Sequence, residues 1–263
     1  MTVRTTVGFI GAGGIATALA KGFCGSADFA GKICVYDPDR ERAESLRALH
    51  PDIVSVAGSN QELVDGAEFI FPALLPHVLE QVVSPLRFRP ENRILHLSAG
   101  MKLETVRPWF APAASVVRTV PLPFASRRIG PVVLFGDDEP SERLLSLLGS
   151  VVKVATEHDL GVLASVTGLM APYYALMGEI VKWCVSRDMR FDDALEYTNR
   201  MCETLSELMR QDCTEGIEHI ERFVQESTTP LGFNEQALNM LRERGAYAPW
   251  IEALDKIGER CGV

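Results

Sequence analysis

The sequence predicts an α/β fold: a doubly wound, mainly parallel sheet in the first half, followed by an all-α second half. Three observations carry this. An apolar run breaks at Gly11 into a glycine-rich turn and then an alanine-rich helix. Short apolar strands alternate with helical patterns as far as Val154, as in parallel strands joined by right-handed crossover helices. Beyond Val154 no strand pattern recurs and the chain reads helical to Val263. A length of 263 residues suits two domains, placed here at 1–155 and 156–263.

The opening unit reads as strand (Val7–Ile10), turn and helix. The first glycine, Gly11, permits the sharp bend, and Gly13 lets the backbone approach a diphosphate. Ala16 is small enough for helix and strand to pack. The free N–H groups and positive dipole end of the helix then face the phosphates. Gly11, Ala12, Gly13, Gly14, Ile15 and Ala16 are therefore candidate cofactor-binding residues. A second strand, Lys32–Tyr36, ends in Asp37, at the spacing where a carboxylate accepts ribose hydroxyls. Its charge disfavours a 2′-phosphate, which makes NAD(H) the favoured cofactor. NADP(H) is the second option, if Arg40 and Arg42 fold back onto it.

A surface helix follows over Asp39–Leu49, then a strand at Ile53–Val56. Ser59 and Glu62 fit a capping box before a brief helix through Val64. Ala67–Leu74 is a strand, Pro76–Val82 a helix, Arg93–Leu97 a strand and Leu103–Phe110 a short helix. Ser115–Val120, Pro131–Phe135 and Val151–Val154 complete the strands. Ligands of such sheets bind beyond the carboxyl ends of the strands, which selects Ala73, Leu74, Leu75 and Pro76, then Ser98, then the turn at Pro121. A long helix from Thr156 to about Val185 has apolar residues on nearly every face and must be covered all round, by a second copy of the chain, with a kink at Pro172. Helices at 191–209, 215–226, 234–243 and 247–260 end the chain.

The net charge of −9 and pI near 5.1 argue against nucleic acid or an anionic membrane as the main partner. The six cysteines form no C-x-x-C pair and no metal-ligand spacing with the histidines, so no metal is expected. Reduced thiols, no leader pattern and no apolar run long enough to span a bilayer point to the cytoplasm. His77 is read as helix-start packing and His96 as a hydrogen-bonded core residue.

Taken in order, Gly8-Phe9-Ile10-Gly11-Ala12-Gly13, Ala73-Leu74-Leu75-Pro76, Leu97-Ser98-Ala99-Gly100, Val117-Arg118-Thr119-Val120-Pro121, Thr167-Gly168, Pro172-Tyr173-Tyr174 and Thr228-Thr229-Pro230-Leu231-Gly232 resemble the pyrroline-5-carboxylate reductase family over almost the whole chain. The resemblance implies an N-terminal Rossmann domain, a helical domain that dimerises by interlocking, and hydride transfer from a nicotinamide cofactor to a cyclic imine. It also implies a substrate pocket at Pro121, Leu122, Thr167, Gly168, Met170, Met177, Thr228, Thr229 and Gly232. Several family positions are altered. Leu75 replaces a lysine, Leu122 replaces the asparagine of a Met-Pro-Asn signature, and Met177 stands near the place of an imine-binding threonine. Leu231 and Phe233 alter a glycine-rich loop that cradles the substrate carboxylate in the family. A pocket changed in this way favours a bulkier or less polar substrate, because a buried carboxylate needs paired donors.

The cofactor supplies the hydride, so the protein needs one proton donor. Tyr173 and Tyr174 are the first candidates, with core packing as the alternative. Lys182, in Gly178-Glu179-Ile180-Val181-Lys182, is similar to the catalytic lysine of β-hydroxyacid dehydrogenases, with a solvated lysine as the alternative. Three readings follow: an imine or carbonyl reductase, a β-hydroxyacid-dehydrogenase-like enzyme using Lys182, and a dinucleotide-binding dimer without turnover.

Overall fold

The computed structural model describes residues 2–98 and 100–263; Ala99 of the Leu97–Gly100 motif lies outside the described residues. Eight strands form one sheet: β1 (Thr6–Ile10), β2 (Lys32–Tyr36), β3 (Val54–Val56), β4 (Phe69–Pro72), β5 (Arg93–His96), β6 (Ser115–Val120), β7 (Pro131–Phe135) and β8 (Ser150–Val154). Their order is β3-β2-β1-β4-β5-β6-β7-β8, and every neighbouring pair is parallel except β6 and β7. The order reverses at β1, which opens a crevice between the carboxyl ends of β1 and β4.

The sheet is covered on both faces because successive strand side chains point to opposite sides. Val7 and Phe9 of β1 face α1 (Gly14–Cys24), α2 (Arg40–Leu49) and α6 (Glu139–Ser146). There Phe9 stacks on Phe71 at 5.1 Å and Phe23 on Phe29 at 5.3 Å. Ile10 faces the other way, toward α3 (Asn60–Gly66), α4 (Pro76–Val83) and α5 (Leu103–Val106). The 103–110 helix of the sequence reading is α5 followed by a 3₁₀ turn, Arg107–Phe110. Helix α6 is an addition to that reading. Its Asp138 cap accepts from the Ser141 N–H at 3.0 Å, and Pro140 sits in its first turn.

The second half is helical, with α7 (Glu157–Val166), α8 (Met170–Val185), α9 (Phe191–Asp212), α10 (Ile217–Glu226), α11 (Phe233–Glu243) and α12 (Ala248–Cys261). The single long helix of the sequence reading is divided by a 3₁₀ turn at Thr167–Leu169. Pro172 explains the position, since it lacks the N–H that would bond the Gly168 carbonyl. The Glu157–Val185 stretch, 29 residues, is long and apolar enough to cross a membrane by length and composition, which corrects the expectation that no such run exists. Residues 160–178 carry no charge. Helices packed inside soluble proteins pass the same test.

The chain forms two compact units, Met1–Ser165 with Gly258–Val263, and Val166–Ile257. They part beyond the expected 155/156 because α7 buries Leu160, Gly161, Ala164 and Ser165 within the first unit.

Candidate functional site

The first candidate site is the crevice between β1 and β4. Gly11 leaves β1 with a φ of +99°, and its N–H donates to the Tyr36 carbonyl at 2.7 Å. A Cβ on Gly11 would lie 2.7 Å from the Ala73 carbonyl oxygen, so the turn after β1 is pressed onto the one after β4. Ala16 is fully buried, as helix–strand packing requires. No side chain caps the N-terminus of α1, no acidic residue stands in its first turn, and space above Gly13 and Gly14 is open to 4 Å. An uncapped helix start with room over its N–H groups fits a diphosphate.

Asp37 has a role that spacing did not reveal. One carboxylate oxygen accepts the Ala12 N–H at 2.8 Å and the other accepts the Asp39 N–H at 2.9 Å. It therefore fastens the glycine turn to the end of β2. Arg40 and Arg42 stand exposed at the start of α2, paired with Glu44 at 3.7 Å and Asp39 at 3.1 Å. Leu75 is the exposed N-cap of α4, with Pro76 in its first turn; Leu74 is half-buried, and the neighbouring His77 is exposed.

Further along the same sheet edge, Ser98 is buried and its hydroxyl has no partner among the described residues. Pro121 is buried and Leu122 half-buried after β6. Burial pushes the His96 imidazole down to about 4, the Met101 carbonyl at 3.4 Å opposing the shift and Arg118 adding to it. A neutral, buried His96 in the folded chain against an ordinary histidine in the unfolded one means that stability is complete above about pH 6.5. It falls as the pH drops toward 4, by up to about 3 kcal/mol. Urea unfolding at pH 7.5 and 4.5 measures it: His96→Leu is expected to lose less stability than the wild type on acidification, and parallel losses would refute the assignment.

The second unit gathers the three proton-donor candidates. Tyr173, Tyr174 and Lys182 of α8 line one groove of about 570 Å³ with Met177 and Val181, closed on its other side by Phe191 and Leu195 of α9. Burial and the Cys202 thiol push the Tyr173 hydroxyl above its usual value, so it stays protonated at neutral pH. Lys182 is exposed and bonded to Glu179 at 2.7 Å, which is the arrangement of a solvated surface lysine. Thr167 and Gly168 form the 3₁₀ turn, Gly168 against Ile257, and Met170 opens α8. Thr228 donates to the Gln225 carbonyl at 2.7 Å, while the Thr229 carbonyl accepts the N–H of Gly232, the N-cap of α11. Leu231 between them has φ +62° and is 99 % exposed.

Sequence reasoning missed the ion pair of buried Arg118 with partly buried Glu157, at 2.9 Å. An arginine in an otherwise apolar strand was the available signal. Among the described residues no group of His, Cys, Asp and Glu is placed to hold a metal ion.

The fold and its turn define a doubly wound sheet of the dinucleotide-binding class, joined to a helical unit. Residues 6–99 match the family model described as NADP oxidoreductase coenzyme F420-dependent, and residues 157–262 match pyrroline-5-carboxylate reductase dimerisation. The second match covers the helical half, and the curated relatives and solved structures that the chain is similar to include pyrroline-5-carboxylate reductases. Pyrroline-5-carboxylate reductase 2 of Bos taurus is 31% identical over 183 residues, 65% of this chain, and the match spans 57% of that relative's length. In fold the chain is similar to the 1-pyrroline-5-carboxylate reductase of Streptococcus pyogenes, with a TM-score of 0.82, 20% identity and 98% of both chains covered. It is also similar to the Plasmodium falciparum pyrroline carboxylate reductase with NADP bound, with a TM-score of 0.81, 13% identity, and 98% and 97% of the two chains covered.

Proposed function

We propose that the chain is a nicotinamide-dependent oxidoreductase that reduces a C=N bond in a small substrate less polar than pyrroline-5-carboxylate. The carrying observation is the uncapped start of α1 beneath open space, with Gly11 held left-handed against Ala73. When bound, the cofactor supplies the hydride. Gly13, Gly14 and Ile15 hold its diphosphate, while Ser98 and the residues from Ala73 to Pro76 border it along the sheet edge. Tyr174 or Tyr173 gives the proton to the substrate nitrogen from the apolar groove on α8. Apolar Leu122 and Met177 replace polar groups that a carboxylate-bearing imine would need.

Cofactor absorbance followed against cyclic imines with and without a carboxylate, keto acids and ketones tests this. Turnover of uncharged imines that falls in Tyr174→Phe and Tyr173→Phe but survives Lys182→Ala is expected. Loss in Lys182→Ala alone would favour carbonyl chemistry, and binding without turnover would favour a dimer that only holds the nucleotide.

For the nucleotide itself, the charge of Asp37 speaks for NAD(H), yet its carboxylate is committed to the Ala12 and Asp39 N–H groups. Exposed Arg40 and Arg42, together with the NADP held by the Plasmodium relative, support NADP(H). Removing both arginines should weaken NADPH binding about tenfold and leave NADH unchanged. If the preference moves only in Asp37→Ala, Asp37 is the selector.

The helical unit presents Trp183, Phe191, Tyr197 and Leu205 to the outside, each more than half exposed. That surface and the dimerisation family match support a homodimer through residues 166–257. The free cysteines support a reducing, cytoplasmic setting.

A further inference from the structure

The interior of the sheet is apolar except at the carboxyl ends of β5 and β6. His96 and Arg118 are register partners there on adjacent parallel strands, with exposures of 0 % and 3 %. Glu157 reaches them from the first turn of α7. One oxygen, Oε1, accepts from Arg118 Nη1 at 2.9 Å and from the Leu103 N–H, also at 2.9 Å. The carboxylate thus ties three separate stretches together: the end of β6, the start of α5 and the start of α7. His96 Nε2 lies 3.4 Å from the Met101 carbonyl on the segment leading into α5.

A pair so placed is a poor device for stability alone. Taking the Arg118 guanidinium out of water costs several kcal/mol, partly buried Glu157 adds to that cost, and apolar residues of similar volume commonly serve stability as well or better. What an apolar replacement lacks is direction. A shared carboxylate oxygen fixes where two donors sit relative to each other, and both donors lie on segments that run into the sheet's ligand edge. Arg118 is followed by Thr119, Val120, Pro121 and Leu122, and Leu103 follows the segment that begins at Ser98.

We propose that Glu157 is a positioning residue: through Arg118 and the Leu103 N–H it sets the two edge segments, 100–103 and 119–122, against which the reactive end of the nucleotide and the substrate lie. This deepens the reductase reading and rests on it. Glu157 touches no reacting atom in this role. Its effect is on the rate of the bound complex, while the diphosphate grip at Gly11–Ala16 is unaffected.

Two variants separate positioning from folding. Glu157→Gln keeps an acceptor for the Leu103 N–H but leaves the Arg118 charge unanswered, whereas Arg118→Met with Glu157→Gln removes the charge as well. In Glu157→Gln, kcat on a neutral cyclic imine is expected to fall between about tenfold and a hundredfold, with the Kd for reduced nucleotide nearly unchanged. Amide hydrogen exchange of 100–103 and 119–122 should quicken by about tenfold or more. The double variant should regain the wild-type thermal midpoint while keeping the slow kcat and fast exchange. If kcat returns with the midpoint, or if Glu157→Gln leaves kcat and exchange at wild-type values, the proposal is overturned. Should the wild type bind nucleotide but reduce no imine, the reductase reading fails by itself, and the exchange measurement still decides the role of Glu157.

Discussion

Gly11→Ala is expected to weaken binding of either nicotinamide nucleotide by about 100-fold, roughly the effect of moving a backbone cradle by an ångström. Two costs act together. A φ of +99° is a region that a residue with a Cβ rarely adopts, and the added carbon would stand 2.7 Å from the Ala73 carbonyl. Backbone oxygen cannot swing aside as a side chain can, so the turns after β1 and β4 must separate. Fluorescence titration with NADH and NADPH measures the outcome, with circular dichroism confirming that the sheet persists. Wild-type affinity in a folded Gly11→Ala protein would mean that the nucleotide does not lie on this turn.

Gly22→Ala should act on stability, and more severely than its position in a helix suggests. Alanine ordinarily improves a helix interior by about 1 kcal/mol over glycine. Here a Cβ would lie 2.3 Å from the Ala125 carbonyl oxygen and 2.6 Å from the Leu148 side chain. Helix α1 passes that close to the 3₁₀ turn Pro123–Arg127, and overpacking against backbone outweighs propensity. A net loss of about 3 kcal/mol is expected, read as a shift in the urea midpoint at unchanged m-value. A gain in stability would show that the two elements are free to part.

Local chemistry was the part of this fold that the sequence made legible. Ser59 accepts the Glu62 N–H at 3.1 Å, as the spacing of the two residues implied, while Glu62 accepts the N–H of Gly58, one residue before the cap, at 2.7 Å. Thr156 and Asp159 likewise cap each other across the start of α7. Gly11 and Ala16 marked the first turn because each answers a constraint within a few residues. Helix α6 was missed because its short run, Glu139 to Ser146, carries three charges and a proline among few apolar residues. The long helix was read as continuous because composition alone does not show where a missing N–H loosens a turn.

Contacts across the sequence were legible only in part. Spacing placed Asp37 beside the nucleotide ribose, but its bonds to Ala12 and Asp39 depend on how β1 and β2 end side by side. Arg118 and Glu157 lie 39 residues apart, and nothing near either one announces the other. The groove holding Tyr173, Tyr174 and Lys182 was half visible: the α8 side follows from helical spacing, while Phe191 and Leu195 arrive only with α9.

The return of Gly258–Val263 to the first unit, with Val263 packed against Gly161 and Gly258, governs the timing of assembly. A ribosome delivers residues in order, so the sheet can form early but the ground beneath α7 stays unfinished until the whole helical insert has emerged. Between those moments the nascent chain carries exposed apolar helices and an unsealed floor, and it is then that a chaperone has the most to hold.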